Sequence, residues 1–149
     1  MGHAHSLLAT FLRSRRDAVF LATKFFPGRV DRAHALEAVD KALSQLEVDV
    51  IDLFYVHWPR RGHDPRPLIE GLEAAREQKK ILAIGVSNFT VQQLEQSLQA
   101  GRIDAHQFCY NLLWKNPEAD VIPFGRRHNI ASIAYSTLAL GALTGKMSR

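Results

Sequence analysis

Polar residues recur at the ends of short apolar runs along this chain. Lys24 closes "AVFLATK" (18–24), and His57 stands near the end of "IDLFYVHW" (51–58). Ser87 closes "ILAIGVS" (81–87) with Asn88 directly after it, Gln107 lies within "AHQFCYN" (105–111), and Ser136 closes "IASIAYS" (130–136). A histidine ending a buried run needs either a polar partner or a chemical role. A lysine ammonium can stabilise a neighbouring phenolate, or it can form a Schiff base with a carbonyl. Asn and Gln side chains each carry a donor and an acceptor, which is what a bound carboxamide requires. Such a set suits a site that holds a planar polar ligand and offsets negative charge developing on a carbonyl oxygen.

The runs that must position these residues are β-branched, aromatic and apolar almost throughout. Continuous rather than alternating hydrophobicity marks strands covered on both faces, as in parallel sheets. Helical patterns lie between them. Leu36, Val39, Leu43 and Leu46 keep the spacing of one helix face behind Asp31 as N-cap. Asp64 followed by Pro65 reads as an N-cap and first helical position, with Leu68, Ile69 and Leu72 inward. Thr90 and Gln93 have capping-box spacing ahead of Leu94 and Leu98, and Gly101 ends that helix. Asn116–Pro117 starts another, and residues 5–14 fit a helix before the first strand. The alternation is a series of βα units. An α/β fold follows: about five parallel strands alternating with helices, either a doubly wound sheet or part of a (β/α)8 TIM barrel. Polar residues at the C-terminal ends of successive strands favour the barrel, which gathers its chemistry at that mouth. A doubly wound sheet would carry a Gly-rich phosphate loop after its first strand, and "ATKFFPGR" is not one.

The chain has 149 residues, 46% of them hydrophobic and 23% charged, the proportions of a globular domain. No linker divides it, so residues 1–149 read as one domain. The single cysteine, Cys109, rules out an internal disulfide and suits a reducing cytoplasm; it reads as an inert core residue. No leader and no membrane-length apolar run is apparent. The net charge of +4 suits a phosphate-bearing ligand. Basic residues interleaved with aromatics are missing, which argues against nucleic acid. His3 and His5 look like a metal pair but lack a third ligand with suitable spacing. "RSRRD" (13–17) reads as a helix end with cations at its negative pole.

Taken in order, "LATKF" (21–25), "DVIDLFYVHWP" (49–59), "IGVSNF" (84–89), "HQFCYN" (106–111) and "AYSTLALGALTGK" (134–146) resemble the aldo-keto reductase family. The resemblance covers essentially the whole chain. It implies reduction of aldehydes and ketones to alcohols by hydride transfer from NADPH, with NADH as the alternative, and without a metal. In that reading Lys24 lowers the pKa of a tyrosine acid, and His57 orients the carbonyl and stabilises the oxyanion. Ser87, Asn88 and Gln107 hydrogen-bond the nicotinamide carboxamide. Tyr135 stacks on the nicotinamide ring, and Ser136, Leu138 and the following loop contact the pyrophosphate. Small-molecule carbonyl compounds are the expected substrates, with neither nucleic acid nor membrane as partner.

The same resemblance places the family's tyrosine just before the helix "GHAHSLLATFL", at Met1 or a residue or two earlier, and its aspartate further upstream. Tyr55, Tyr110 and Tyr135 do not stand at that position. The expectation is therefore an incomplete barrel lacking its first two strand units and its last, with weak or absent reductase activity. Open sheet edges would invite self-association. Two other readings are a Schiff-base lyase using Lys24, and a non-catalytic half-barrel that binds a nucleotide or a partner chain.

Overall fold

The computed structural model describes residues 2–146, with side chains from residue 4. Helix α1 (Gly2–Arg15) leads through a 3-10 turn (Arg16–Ala18) to β1 (Ala22–Phe25), then α2 (Arg32–Leu46) and β2 (Ile51–Val56). Next come α3 (Arg66–Glu77), β3 (Ile81–Ser87), α4 (Val91–Leu98) and β4 (Ala105–Cys109). A 3-10 turn (Asn116–Glu118), α5 (Val121–Arg127), β5 (Ala131–Tyr135) and a final 3-10 segment (Ala139–Thr144) complete the described chain. The strands lie in chain order, every neighbouring pair parallel. That is the order of consecutive βα units, each crossover placing its helix against the sheet.

The main core lies between sheet and helices. Phe54, Val56, Ile84, Val86 and Phe108 from the strands meet Val39, Leu46, Ile69, Leu72, Leu94 and Phe124 from the helices. Burial of this apolar surface is the chief stabilising term. Val39 and Leu46 of the predicted α2 stripe are fully buried, while Leu36 and Leu43 pack at its margin. The opposite, concave face of the sheet holds a smaller cluster of Leu53, Tyr55 and Ala105 with Ala83 beside it. Gly85 pairs with Tyr55 across β2 and β3. Any Cβ at position 85 would run into the Tyr55 ring, so only glycine lets that ring lie flat across the strand.

The local signals hold with shifts at the boundaries. Asp31 caps α2 by accepting from the His34 N–H at 2.7 Å. Thr90 and Gln93 form the capping box of α4. The first strand begins later than "AVFLATK" suggests. The Arg16 guanidinium donates to the carbonyls of Val19 and Val50, and the Leu21 N–H donates to the Asp52 carboxylate at 2.7 Å. Side-chain bonds therefore take the Val19 carbonyl and the Leu21 N–H, the Leu21 carbonyl already accepts from the Leu53 N–H at 3.1 Å, and the paired register starts at Ala22. β2 stops at Val56, β4 at Cys109 and β5 at Tyr135, so His57, Asn111 and Ser136 belong to the loops.

Pro65, not Asp64, occupies the N-cap of α3. The Pro65 carbonyl accepts from Leu68 and Ile69, and the Asp64 carboxylate accepts from the Arg66 N–H. Asn116–Pro117 opens a 3-10 turn rather than an α-helix, and Asp120 caps the true helix α5. Gln99 rather than Gly101 is the C-cap of α4, and a Cβ at Gly101 would meet only the Glu73 side chain. Cys109 is half-buried at the rim of the sheet rather than in the core.

Candidate active site

The concave mouth is assembled at the C-terminal ends of the strands. Lys24 is the penultimate residue of β1 and pairs with Tyr55 of β2. Its Nζ lies 5.8 Å from the centroid of the Tyr55 ring, within cation–π range. His57 follows β2 directly, and its backbone N–H donates to the Phe25 carbonyl at 2.9 Å, extending the ladder by one bond. The imidazole packs against Phe26, ring centroids 4.3 Å apart. Burial and then the Lys24 charge lower the His57 pKa, keeping the ring neutral around neutral pH. A neutral imidazole offers one donor and one acceptor. Nδ1 is buried and has no partner among the described residues.

Ser87 ends β3 and is almost wholly buried. Asn88 follows in the left-handed region at φ 62°, a conformation that asparagine tolerates better than most residues. Its backbone N–H donates to the Gln107 carbonyl at 2.8 Å. Its amide Nδ2 donates to Ser87 Oγ at 2.9 Å and to the His57 carbonyl at 3.4 Å. Its Oδ1 accepts from the Tyr135 hydroxyl at 2.8 Å, bridging β3 and β5 across 47 residues of sequence. Ser87 pairs with Gln107, so the Ser, Asn and Gln groups stand side by side.

Lys24, His57, Ser87, Asn88, Gln107 and Tyr135 line one cleft of about 270 Å³, together with Trp58. Trp58, to which the sequence motif assigns no role, is exposed and forms a wall of the cleft. Ser136 and Leu138 are not brought into it. Ser136 begins the next loop at φ 53°, its carbonyl accepting from Asn111 Nδ2 at 3.0 Å, and Leu138 is exposed. Asn111 is thus a supporting residue that sequence reasoning passed over. Its signal was local, since it follows Tyr110 in a motif already singled out, but its partner lies 25 positions away.

Burial raises the pKa of Tyr55 rather than Lys24 lowering it, which agrees with excluding this tyrosine as the acid. Lys24 and His57 also border a cleft of about 290 Å³ that is walled by Ala4, His5 and Leu8 of α1. His5 hydrogen-bonds Gln45 and Thr23 at 3.0 and 2.8 Å, a packing role. His3 and Met1 lie outside the residues whose side chains are described. Among the described residues no cluster of three potential metal ligands occurs, and no helix is long and apolar enough to cross a membrane.

Comparison with known proteins agrees with this geometry. The Aldo/keto reductase family profile matches residues 1–149. The chain is 36% identical over 146 residues to the aldo-keto reductase YhdN of Bacillus subtilis, covering 90% of this chain and 43% of that one. It is 33% identical over 116 residues to the NADH-specific methylglyoxal reductase of Escherichia coli, covering 76% and 36%. Among solved structures, the glycerol dehydrogenase AKR11B4 from Gluconobacter oxydans superposes with a TM-score of 0.91 at 28% identity, over 99% of this chain and 49% of that one. An aldo-keto reductase from Klebsiella pneumoniae, in complex with NADP and acetate, gives 0.85 at 26% identity, over 97% and 52%. The chain spans about half the length of these relatives, or somewhat less. Five consecutive parallel strands alternating with helices, the polar residues clustered at one mouth and the match along the full sequence lead to one assignment: the chain belongs to the aldo/keto reductase family.

Proposed function

We propose that this chain carries the carbonyl- and nicotinamide-binding portion of an NAD(P)H-dependent oxidoreductase that reduces aldehydes or ketones to alcohols. One observation carries the reading: Lys24, His57, Ser87, Asn88, Gln107 and Tyr135, spread over more than a hundred residues, converge on one cleft. The donor set fits a nicotinamide. Ser87 Oγ and the Asn88 and Gln107 amides supply both donors and acceptors at one edge, as a carboxamide requires. The Tyr135 ring, tied at its hydroxyl to Asn88, supplies an aromatic face. NADPH is the proposed cofactor, with NADH the alternative, and when bound it supplies the hydride.

The chain's own groups then answer the charge that builds on the carbonyl oxygen. Neutral His57 donates a hydrogen bond to that oxygen and orients it. Lys24 holds a positive charge beside the acid, favouring the phenolate of a tyrosine and so lowering its pKa. The first turns of α1 border Lys24 and His57, so an acid served by this lysine would approach from that side of the cleft. On this reading the chain corresponds to the third to seventh βα units of the barrel. The single cysteine fits a reducing compartment, and we propose the cytoplasm.

Fluorescence titration of the chain with NADPH tests the binding reading. Saturable quenching of tryptophan fluorescence, lost in part in W58F, with affinity weakened about tenfold or more by N88A or Q107A, is the expected result. A chain that folds but binds neither NADPH nor NADH overturns it. Tyr55, the tyrosine beside Lys24, has its pKa raised by burial, and we propose that residues 1–149 by themselves turn over a simple aldehyde about 10²- to 10⁴-fold more slowly than a site with a well-placed acid. Robust NADPH oxidation would refute that reading. β1 and β5 each pair on one side only among the described residues, and we propose that these edges mediate self-association. A concentration-independent monomer in sedimentation would exclude this.

A further inference from the structure

His106 stands beside Gln107 on β4, yet its side chain points the opposite way, because successive strand residues alternate faces. Gln107 faces the cleft, whereas His106 is 2% exposed on the helix side, edge-on to Phe108 at 5.0 Å. Its Nε2 accepts from the Phe89 backbone N–H at 3.2 Å. The preceding N–H, that of Asn88, donates to the Gln107 carbonyl. Two consecutive N–H groups of the β3–α4 turn are thus gripped by two consecutive residues of β4, one through a side chain and one through the backbone.

The residue held between those bonds is Asn88, in the left-handed conformation. A non-glycine residue stays there only where its surroundings over-determine it. The geometry points to His106 as a positioning residue: by accepting the Phe89 N–H from behind the sheet, it fixes the turn that presents the Asn88 amide to the cleft. For Nε2 to accept, the ring must be neutral with its proton on Nδ1. Nδ1 is buried and has no partner among the described residues, so the site forgoes one hydrogen bond to keep the other. Phe89 is itself buried, and Thr90 begins α4 with its capping box, so the next residues are fixed independently. Only the Asn88–Phe89 peptide depends on His106.

This inference rests on the cofactor reading for its functional consequence, and the experiment separates the two. H106Q keeps a side-chain acceptor within reach of Phe89, while H106M fills similar space without one. Three measurements are made on the full chain: the 15N signature of the His106 ring, the exchange rate of the Phe89 amide proton, and the Kd for NADPH by fluorescence. The expected ring carries its proton on Nδ1. H106M should exchange Phe89 at least tenfold faster, with the helix amides of α4 unchanged, and bind NADPH about tenfold more weakly. H106Q should restore both.

A proton on Nε2 overturns the proposal, even if H106M does not fold. So does unchanged Phe89 exchange in H106M, an equal loss in H106Q and H106M, or faster exchange with unaltered NADPH affinity. If the unsubstituted chain binds no nicotinamide cofactor, the cofactor reading fails, and the ring and exchange measurements alone decide the role of His106.

Discussion

Acidification should destabilise this protein through His106. The imidazole is buried beneath the β3–α4 turn, and desolvation lowers its pKa from 6.5 to about 4, opposed only weakly by the charge of Asp120. Below pH 6.5 the unfolded chain takes up a proton at this histidine while the folded chain does not. Stability therefore falls with falling pH across the interval from 6.5 to about 4, and levels off once the folded form also protonates. At about 1.4 kcal/mol per pH unit, the interval amounts to roughly 3 kcal/mol, a large part of the stability of a small domain. Above pH 6.5 both forms are neutral and the contribution vanishes.

Urea unfolding followed by far-ultraviolet circular dichroism between pH 4 and 8 measures the slope. H106Q removes the titrating group while keeping an acceptor, so the difference between the two proteins isolates this residue. His57, whose pKa is also lowered, contributes in the same direction but equally to both proteins. Asp64, held below its ordinary 3.8 mainly by its hydrogen bonds with Arg66, acts below the window. The stability difference between the two proteins should change by about 3 kcal/mol, the unsubstituted protein losing that much more than H106Q between pH 7 and 4. Parallel curves would show that His106 does not titrate abnormally, and that the turn is not dehydrated as described.

Two further outcomes follow from the packing. G85A should destabilise the fold by about 1–3 kcal/mol, because the added methyl displaces the Tyr55 ring from the concave face; an unshifted urea midpoint would mean that the ring moves aside freely. D52A should cost about 2–3 kcal/mol, since it strands the Leu21 N–H and removes the 2.8 Å partner of a half-buried Arg16. A cycle with R16A should show coupling of at least about 0.5 kcal/mol, and strictly additive losses would contradict the bridge.

The continuous apolar runs and helical spacings depend on local physics, and the elements they implied are present. Boundaries moved where a side chain from elsewhere intervened. Arg16 takes the Val19 carbonyl and Asp52 the Leu21 N–H at the entry to β1, and the Pro65 carbonyl takes the first bonds of α3. Neither effect has a local signature. The candidate cleft was legible because a barrel places strand ends at one mouth, so order along the chain becomes proximity in space.

The sequence by itself determined the βα repeat, the parallel sheet and the placing of Lys24, His57, Ser87 and Asn88 at or next to strand ends, because periodicity, capping and motif order are properties of neighbours along the chain. Gln107 lies at the middle of β4 rather than at its end. Only the tertiary structure decided that Tyr135 is tied to Asn88, that Trp58 walls the cleft, that Cys109 is half-buried, and that His106 holds Phe89 from behind. Those relations depend on register between strands and on the face each residue takes in the folded sheet. Both are set by packing across the sheet rather than by sequence neighbours.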